Sequence, residues 1–223
     1  MKNAVSVAVG TILSASALLS APAMADVSGN IGVTSDYLWR GVTQTDGAPA
    51  VSGGIDWGHD SGFYLGTWVS NIEFGDAATY EWDLYGGFGG EIGDFGYDVG
   101  YIYYAYPNGD DLDFGEVYGS IGWNWLGLNV SYGTNESADE KFYENALYVE
   151  GTLGFDLTDS VSLGFAIGHY SFDIDEDEDY LNYNLSLTKS TEAMGDFTFM
   201  VSDTDLDDDD PIFLVSWAYE FDI

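Results

Sequence analysis

Between Val27 and Ile223 apolar and polar residues alternate in short runs rich in Tyr, Trp and Gly, each followed by a break. The period is two, that of a β-strand whose two faces meet different surroundings. A strand crosses a bilayer in about 9–11 residues, and lipid accepts strands only as a closed barrel, because no backbone group can stay unpaired there. The pattern therefore predicts an all-β fold, a transmembrane antiparallel up-and-down β-barrel. Twelve strands can be read, at 27–40, 49–57, 63–71, 80–91, 95–106, 113–124, 126–133, 143–156, 161–172, 179–189, 196–202 and 212–221. An even number suits a single-chain bacterial barrel.

The breaks sort by parity. Those after even-numbered strands are mostly tight and carry Gly, Asp, Asn or Ser, as hairpin turns do. Those after odd-numbered strands are longer and mostly more acidic, including 42–48, 72–79, 134–142, 173–178 and 203–210. A soluble sandwich has no reason to segregate loop length and charge to one end, whereas a barrel with short periplasmic turns and long external loops does. On this reading both termini are periplasmic.

Alternation within strands also assigns the faces. In the ninth strand Val161, Leu163, Phe165 and Ile167 oppose Ser162, Gly164, Ala166 and Gly168; in the tenth, Leu181, Tyr183, Leu185 and Leu187 oppose Asn182, Asn184, Ser186 and Thr188. The apolar set is expected to face lipid and the other set the lumen. Aromatic residues gather at strand ends, as interface girdles should: Tyr37, Trp39, Tyr80, Trp82, Tyr103 and Tyr183 on the outer rim, and Trp57, Trp123, Trp125, Phe155, Trp217, Tyr219 and Phe221 on the inner rim.

The first 25 residues read differently. Lys2 precedes an apolar stretch from Ala4 to Leu19, and Ala23-Met24-Ala25 forms an A-x-A cleavage site, so residues 1–25 are expected to be a cleaved signal peptide and 26–223 the outer-membrane barrel of a Gram-negative bacterium. The chain has no Cys, which removes disulfides, thiolate metal sites and a Cys nucleophile.

Charge narrows the function. The net charge is −35, from 39 acidic against 4 basic residues. Nucleic acid is excluded as a partner, since a polyanion needs Lys and Arg to displace its counterions. The lumen-facing charges by parity are Asp36, Asp56, Glu81, Asp83, Asp98, Glu116, Glu144, Glu150 and Glu220, with Arg40 among them. Carboxylates in a low-dielectric wall concentrate cations and repel anions. Arg40 is expected to pair with Asp36 or a neighbour across the sheet. Many inward positions are Gly or Ser, which suggests free space, and twelve strands lie between filled barrels and open channels.

The segment Ser35-Asp36-Tyr37-Leu38-Trp39-Arg40-Gly41-Val42-Thr43-Gln44 resembles the S-D-Y-x-x-R-G-x-x-Q opening of the TorF family, exported outer-membrane proteins of unknown function to which a porin role is ascribed. Gly62 to Trp68, Glu81 to Gly87 and Gly96 to Tyr104 followed by Tyr106-Pro107 are similar to the same family. The resemblance is most specific over 33–107, fades toward the acidic C-terminal third, and implies an outer-membrane barrel with a porin role.

The candidate pore-lining residues are Asp36, Arg40, Glu81, Asp83, Asp98, Glu116, Glu150, Asn182 and Asn184. No catalytic, metal or cofactor site is expected. The acidic runs at 173–178 and 203–210 lack the Gly and spacing of a calcium loop. The two histidines are poorly placed for hydrolysis: His59 falls in a turn, and His169 shares a lipid-facing parity with Ser171 about 7 Å away. The expected function is a narrow, cation-leaning porin for passive diffusion of small solutes, partnered by outer-membrane lipid and lipopolysaccharide. The alternative is a non-conducting structural or surface-interaction barrel with a plugged lumen, and an outer-membrane lipid hydrolase is a distant third. Oligomeric state is not encoded in any visible feature.

Overall fold

The computed structural model describes residues 26–75, 77–138, 141–173, 178–207 and 210–223. The expected signal peptide, and the segments 174–177 and 208–209 of the two acidic runs, lie outside the described residues.

Twelve antiparallel strands close on themselves: β1 (Asp26–Thr34), β4 (Ala50–Gly58), β5 (Phe63–Asn71), β6 (Tyr80–Ile92), β7 (Phe95–Ala105), β8 (Phe114–Trp123), β9 (Leu126–Glu136), β10 (Leu147–Thr158), β11 (Val161–Ser171), β12 (Tyr180–Thr191), β13 (Gly195–Thr204) and β14 (Ile212–Asp222). Each pairs with its sequence neighbour, and β1 meets β14 from Ser28↔Asp222 to Thr34↔Ser216, leaving no edge. The remaining strands, β2 (Leu38–Trp39) and β3 (Val42–Thr43), form a separate small hairpin.

Two boundaries depart furthest from the sequence reading. The first strand ends at Thr34, not at residue 40, and the eighth barrel strand, β10, begins at Leu147, not at 143. Residues 35–49 leave the wall, and 36–45 fold into the barrel. Glu144 accordingly lies in a loop, 3.8 Å from Lys141, and not on the lumen face. Tyr37 and Trp39, expected on the outer rim, are inside for the same reason. The other expected outer-rim residues, Tyr80, Trp82, Tyr103 and Tyr183, do stand on the outward parity of their strands. At the turn end the aromatic girdle is present, with Trp217, Tyr219 and Phe221 stacked in sequence and Phe95 on Trp123.

Outward positions are apolar and exposed, as a membrane-facing belt requires: Val51, Ile55, Leu65, Val99, Ile121, Leu128, Phe165, Ile167, Leu185 and Phe199 among them. Inward positions become more buried toward the long-loop end. Glu81, Glu116 and Asn182 are fully buried there, Asp56 and Asp98 are half-buried at mid-height, and Asp156 and Glu220 are exposed at the turn end. The interior is thus filled at one end and open at the other.

Several inward glycine positions are filled and not open, although Gly122 meets only the Leu126 carbonyl at 3.9 Å. A β-carbon at Gly66 would overlap the Tyr85 ring, one at Gly87 the Tyr64 hydroxyl, one at Gly100 the Tyr118 hydroxyl and one at Gly168 the Tyr148 hydroxyl. In three of these pairs the glycine and tyrosine are register partners, Gly66↔Tyr85, Tyr64↔Gly87 and Gly100↔Tyr118, so each glycine seats a ring from the neighbouring strand flat against the wall.

Gly66→Ala is expected to lower stability by about 1–3 kcal/mol through overpacking. Gly151→Ala, whose β-carbon meets nothing within 4 Å, is expected to stay within about 0.5 kcal/mol. Urea unfolding of the refolded barrel, followed by loss of its heat-modifiable gel mobility, measures both.

Candidate functional site: a hairpin held inside the barrel

The site is built on residues 35–49. Asp36 organises the base of the excursion: its Oδ1 accepts hydrogen bonds from the hydroxyls of Thr43 at 2.6 Å and Thr45 at 3.0 Å, and its backbone carbonyl accepts one from Thr34 at 2.7 Å. Ser35 ties the start to β14 through Ser35 N–Val215 O and Val215 N–Ser35 Oγ. The tip is the two-residue turn Arg40-Gly41, with φ of 51° and 90°. Two positive φ values make the twisted turn that tight hairpins favour. Gly41 is needed twice over, because a side chain there would press on Asn182 and Thr204 of the wall. Arg40 has no such excuse for a left-handed backbone, whose cost is about 1–2 kcal/mol for a residue with a side chain. Its contacts must offset that.

Those contacts cross the lumen. Arg40 donates from Nη1 and Nη2 to the two carboxylate oxygens of Glu116 on β8, at 2.8 and 2.7 Å, a bidentate pair with both side chains buried. Its guanidinium carbon also lies 4.3, 4.3 and 4.6 Å from the ring centroids of Trp39, Tyr148 and Tyr170. The expected partner, Asp36, is instead occupied within the hairpin. Glu116 is aimed inward beside a β-bulge, where Thr134 of β9 is an extra residue between the partners of Gly115 and Glu116.

The rest of the hairpin reaches other sectors of the wall. Tyr37 donates to Glu81 of β6 at 2.7 Å and packs edge-on against Trp68 of β5. Trp39 stands edge-on to Tyr104, Phe114, Tyr143 and Tyr170, with centroids 5.7–5.9 Å apart. Leu38 packs with Met200 of β13 and Leu214 of β14. The hairpin therefore touches strands around the whole circumference.

The predicted residues fall into three groups. Arg40 and Glu116 form the clamp. Glu81 and Asp83 lie buried on β6 beside Tyr37, while Glu150 accepts from Tyr148 and Asn129 at 3.0 Å each and the Asn182 amide lies 3.1 Å from the Tyr148 hydroxyl. Asp98 sits lower, in a belt with Asp56: Tyr85 donates to Asp56 at 2.5 Å, Asn30 to Asp56 at 3.1 Å and Tyr64 to Asp98 at 2.8 Å, and the Tyr64 and Tyr118 hydroxyls are 2.5 Å apart. Asn184 lies on the interior face of β12. Sequence reasoning placed Tyr148 on the lumen face by parity but missed Tyr37 and Trp39 as interior residues, and Tyr64, Tyr85, Tyr104, Tyr118 and Tyr170 as the polar and aromatic lining.

A family model for bacterial proteins of unknown function (Gcw_chp) matches residues 20–220. The chain belongs to this family. Its hairpin motif, 35–44, is thus a feature of a Gcw_chp protein whose interior geometry can now be seen. No curated protein sequence matches the chain significantly. Among solved structures it is similar to the KdgM porin, at TM-score 0.59 and 10% identity over 87% of this chain and 99% of that one. It is similar likewise to the COG4313 outer membrane channel from Pseudomonas putida F1, at 0.57 and 9% over 91% and 97%, and to the NanC porin, at 0.52 and 11% over 87% and 97%. At such identities the likeness is one of fold: this Gcw_chp barrel has the architecture of outer-membrane porins.

Away from the lumen, His169 lies on the outer face of β11 and the Ser171 hydroxyl donates to the Leu147 carbonyl, so the two do not form a nucleophile–base pair. His59 sits in the β4–β5 turn against Ser61. No cluster of His, Cys, Asp and Glu able to hold a metal occurs among the described residues.

Glu116→Gln strands a buried guanidinium, at a cost of about 3–5 kcal/mol. The hairpin should then leave its seat, raising trypsin cleavage after Arg40 by roughly a hundredfold or more. Adding Arg40→Met removes the stranded charge along with the cleavage site. The double variant should regain most of the lost stability, read by urea unfolding.

Proposed function

We propose that this protein is a TorF-type porin of the Gram-negative outer membrane: a narrow, cation-leaning channel for passive diffusion of small solutes, exported by a cleaved leader at residues 1–25. Both termini face the periplasm, and the hairpin constricts the external side. The observation that carries this reading is the charge balance of the interior. Beyond residue 25 the basic residues are Arg40, Lys141 and Lys189. Arg40 is neutralised by Glu116, Lys141 lies in a loop, and Lys189 is outward on β12 beside Ser160. Asp56, Glu81, Asp83, Asp98 and Glu150 remain on the interior wall with no basic side chain within ion-pair distance among the described residues. A water-filled passage lined this way concentrates cations and repels anions.

The same balance separates this chain from one of its structural neighbours. A KdgM porin has been solved in complex with oligogalacturonate, a polyanionic sugar. An acidic lumen disfavours such a ligand, so similarity of fold does not carry the substrate across. The extent of the hairpin contacts supports a second reading, a barrel closed at rest. Loss of solute passage in liposome swelling would favour it.

Reversal potentials of the purified protein in planar bilayers under a KCl gradient should show K+ several-fold more permeant than Cl−, and Asp56→Asn with Asp98→Asn should lower that ratio. Anion preference in the wild type contradicts the proposal.

A further inference from the structure

The outer wall of the barrel is not smooth. Toward the turn end of β4, β5, β6 and β7, Trp57, Phe63, Leu65, Phe88 and Val99 line a recess of about 690 Å³, and the β4–β5 turn adds His59 and Ser61 to its lining. Pockets that hold small molecules run from about 300 to 1,000 Å³, so this one has the size of a ligand site. It crosses four strands, three spacings of about 4.8 Å. Phe63 and Leu65 are 59% and 61% exposed, against 39–46% for Phe165, Leu185, Leu128 and Ile121 elsewhere on the belt. Outward glycines shape the surface: Leu65 leans over Gly86 and Tyr97 over Gly90, while the Phe63 and Phe88 rings pack edge to face at 4.9 Å.

The recess opens on the same outward face as the apolar belt, so what meets it is lipid. Ordered water is disfavoured among these side chains, because a seated water needs two to four polar partners. A hydrocarbon chain that fills the recess keeps dispersion contacts that an unfilled one forfeits. Trp57 belongs to the aromatic girdle of the turn end and lies against the His59 ring, which puts the His59 end at headgroup depth.

The turn selects the headgroup. The Ser61 backbone N–H donates to His59 Nδ1 at 3.2 Å and Ser61 Oγ lies 2.7 Å from the same atom, so Nδ1 is the acceptor and Nε2 carries the proton. That N–H is a donor for a phosphate oxygen. The turns on this side are acidic, with Asp60 beside His59 and Glu91 and Asp94 around the β6–β7 turn, and β1, β4, β5, β6 and β7 carry no Lys or Arg among the described residues. A net anionic headgroup is repelled by such a rim, and an ammonium is drawn to it. We infer that the recess binds a zwitterionic aminophospholipid of the leaflet on the turn side, its acyl chain on Leu65, Phe88 and Val99, its phosphodiester accepting from His59 Nε2 and its ammonium toward the acidic turns. The site rests on the reading of the barrel as an outer-membrane protein, and does not depend on conduction.

Native mass spectrometry of the folded, detergent-solubilised barrel, titrated with dioleoyl phosphatidylethanolamine, tests it. Wild type should retain one molecule saturably, and phosphatidylglycerol with the same chains should bind several-fold more weakly. Val99→Trp, which fills the recess, should weaken retention about tenfold or more. His59→Leu, which keeps an apolar side chain in the exposed turn and removes the donor, should weaken it several-fold and serves if Val99→Trp does not fold. Ile167→Trp, on the outer face of β11, should bind as wild type does. Absence of saturable lipid in wild type, equal retention by wild type and His59→Leu, or phosphatidylglycerol binding as tight as that of phosphatidylethanolamine overturns the inference. Partition of the wild type into lipid vesicles is read separately. A barrel that inserts and retains no phosphatidylethanolamine sinks only the site, while one that stays in solution without detergent sinks the membrane reading on which the site rests.

Discussion

The Arg40–Glu116 pair is the constraint on which the interior of this barrel depends. A guanidinium and a carboxylate in a water-poor interior do not add much net stability, because desolvation consumes most of their attraction. What they do is make every alternative arrangement costly. Glu116 faces inward by the alternation of β8, so a charged partner must reach it from somewhere. Among the described residues Arg40 at the tip of the β2–β3 hairpin is the one that does. The left-handed backbone of Arg40, the packed rings of Trp39, Tyr148 and Tyr170, and the close approach of Gly41 to Asn182 all follow from holding that pair in place.

The wall and the hairpin divide the work. Barrel closure satisfies the backbone and presents an apolar belt outward, and it does so with strands whose inward glycines seat tyrosines from the next strand. Those tyrosines supply hydroxyls that tie Asp56, Asp98 and Glu150 to the wall at fixed heights. The hairpin then fills the long-loop half, contacting β5, β6, β8, β13 and β14. Its seat on so many strands explains why the interior is buried at one end and exposed at the other.

Much of this was legible in the sequence. The period-two runs located the barrel strands, and the parity of loop lengths separated a short-turn end from a long-loop end, because both are direct consequences of an up-and-down barrel. The hairpin was not legible, and the reason is physical. Tyr37 and Trp39 continue the alternation of β1, so the residues after Thr34 read as more of the same strand. The signals that mark the departure are local and polar: Asp36 with Thr43 and Thr45, and a Gly following Arg40. Each is weak alone. Likewise a glycine that leaves space and a glycine that seats a tyrosine look identical until the register is known. The motif that carries the family resemblance, 35–44, turns out to be the hairpin itself.

If the barrel conducts, residues 35–49 set the width of its passage. Single-channel conductance in planar bilayers tests it most directly, comparing wild type with a variant in which residues 36–47 are replaced by a short Gly-Ser link. Conductance should be several-fold larger in the variant, with cation preference retained by the carboxylates left on the wall. Equal conductance in the two proteins would contradict it.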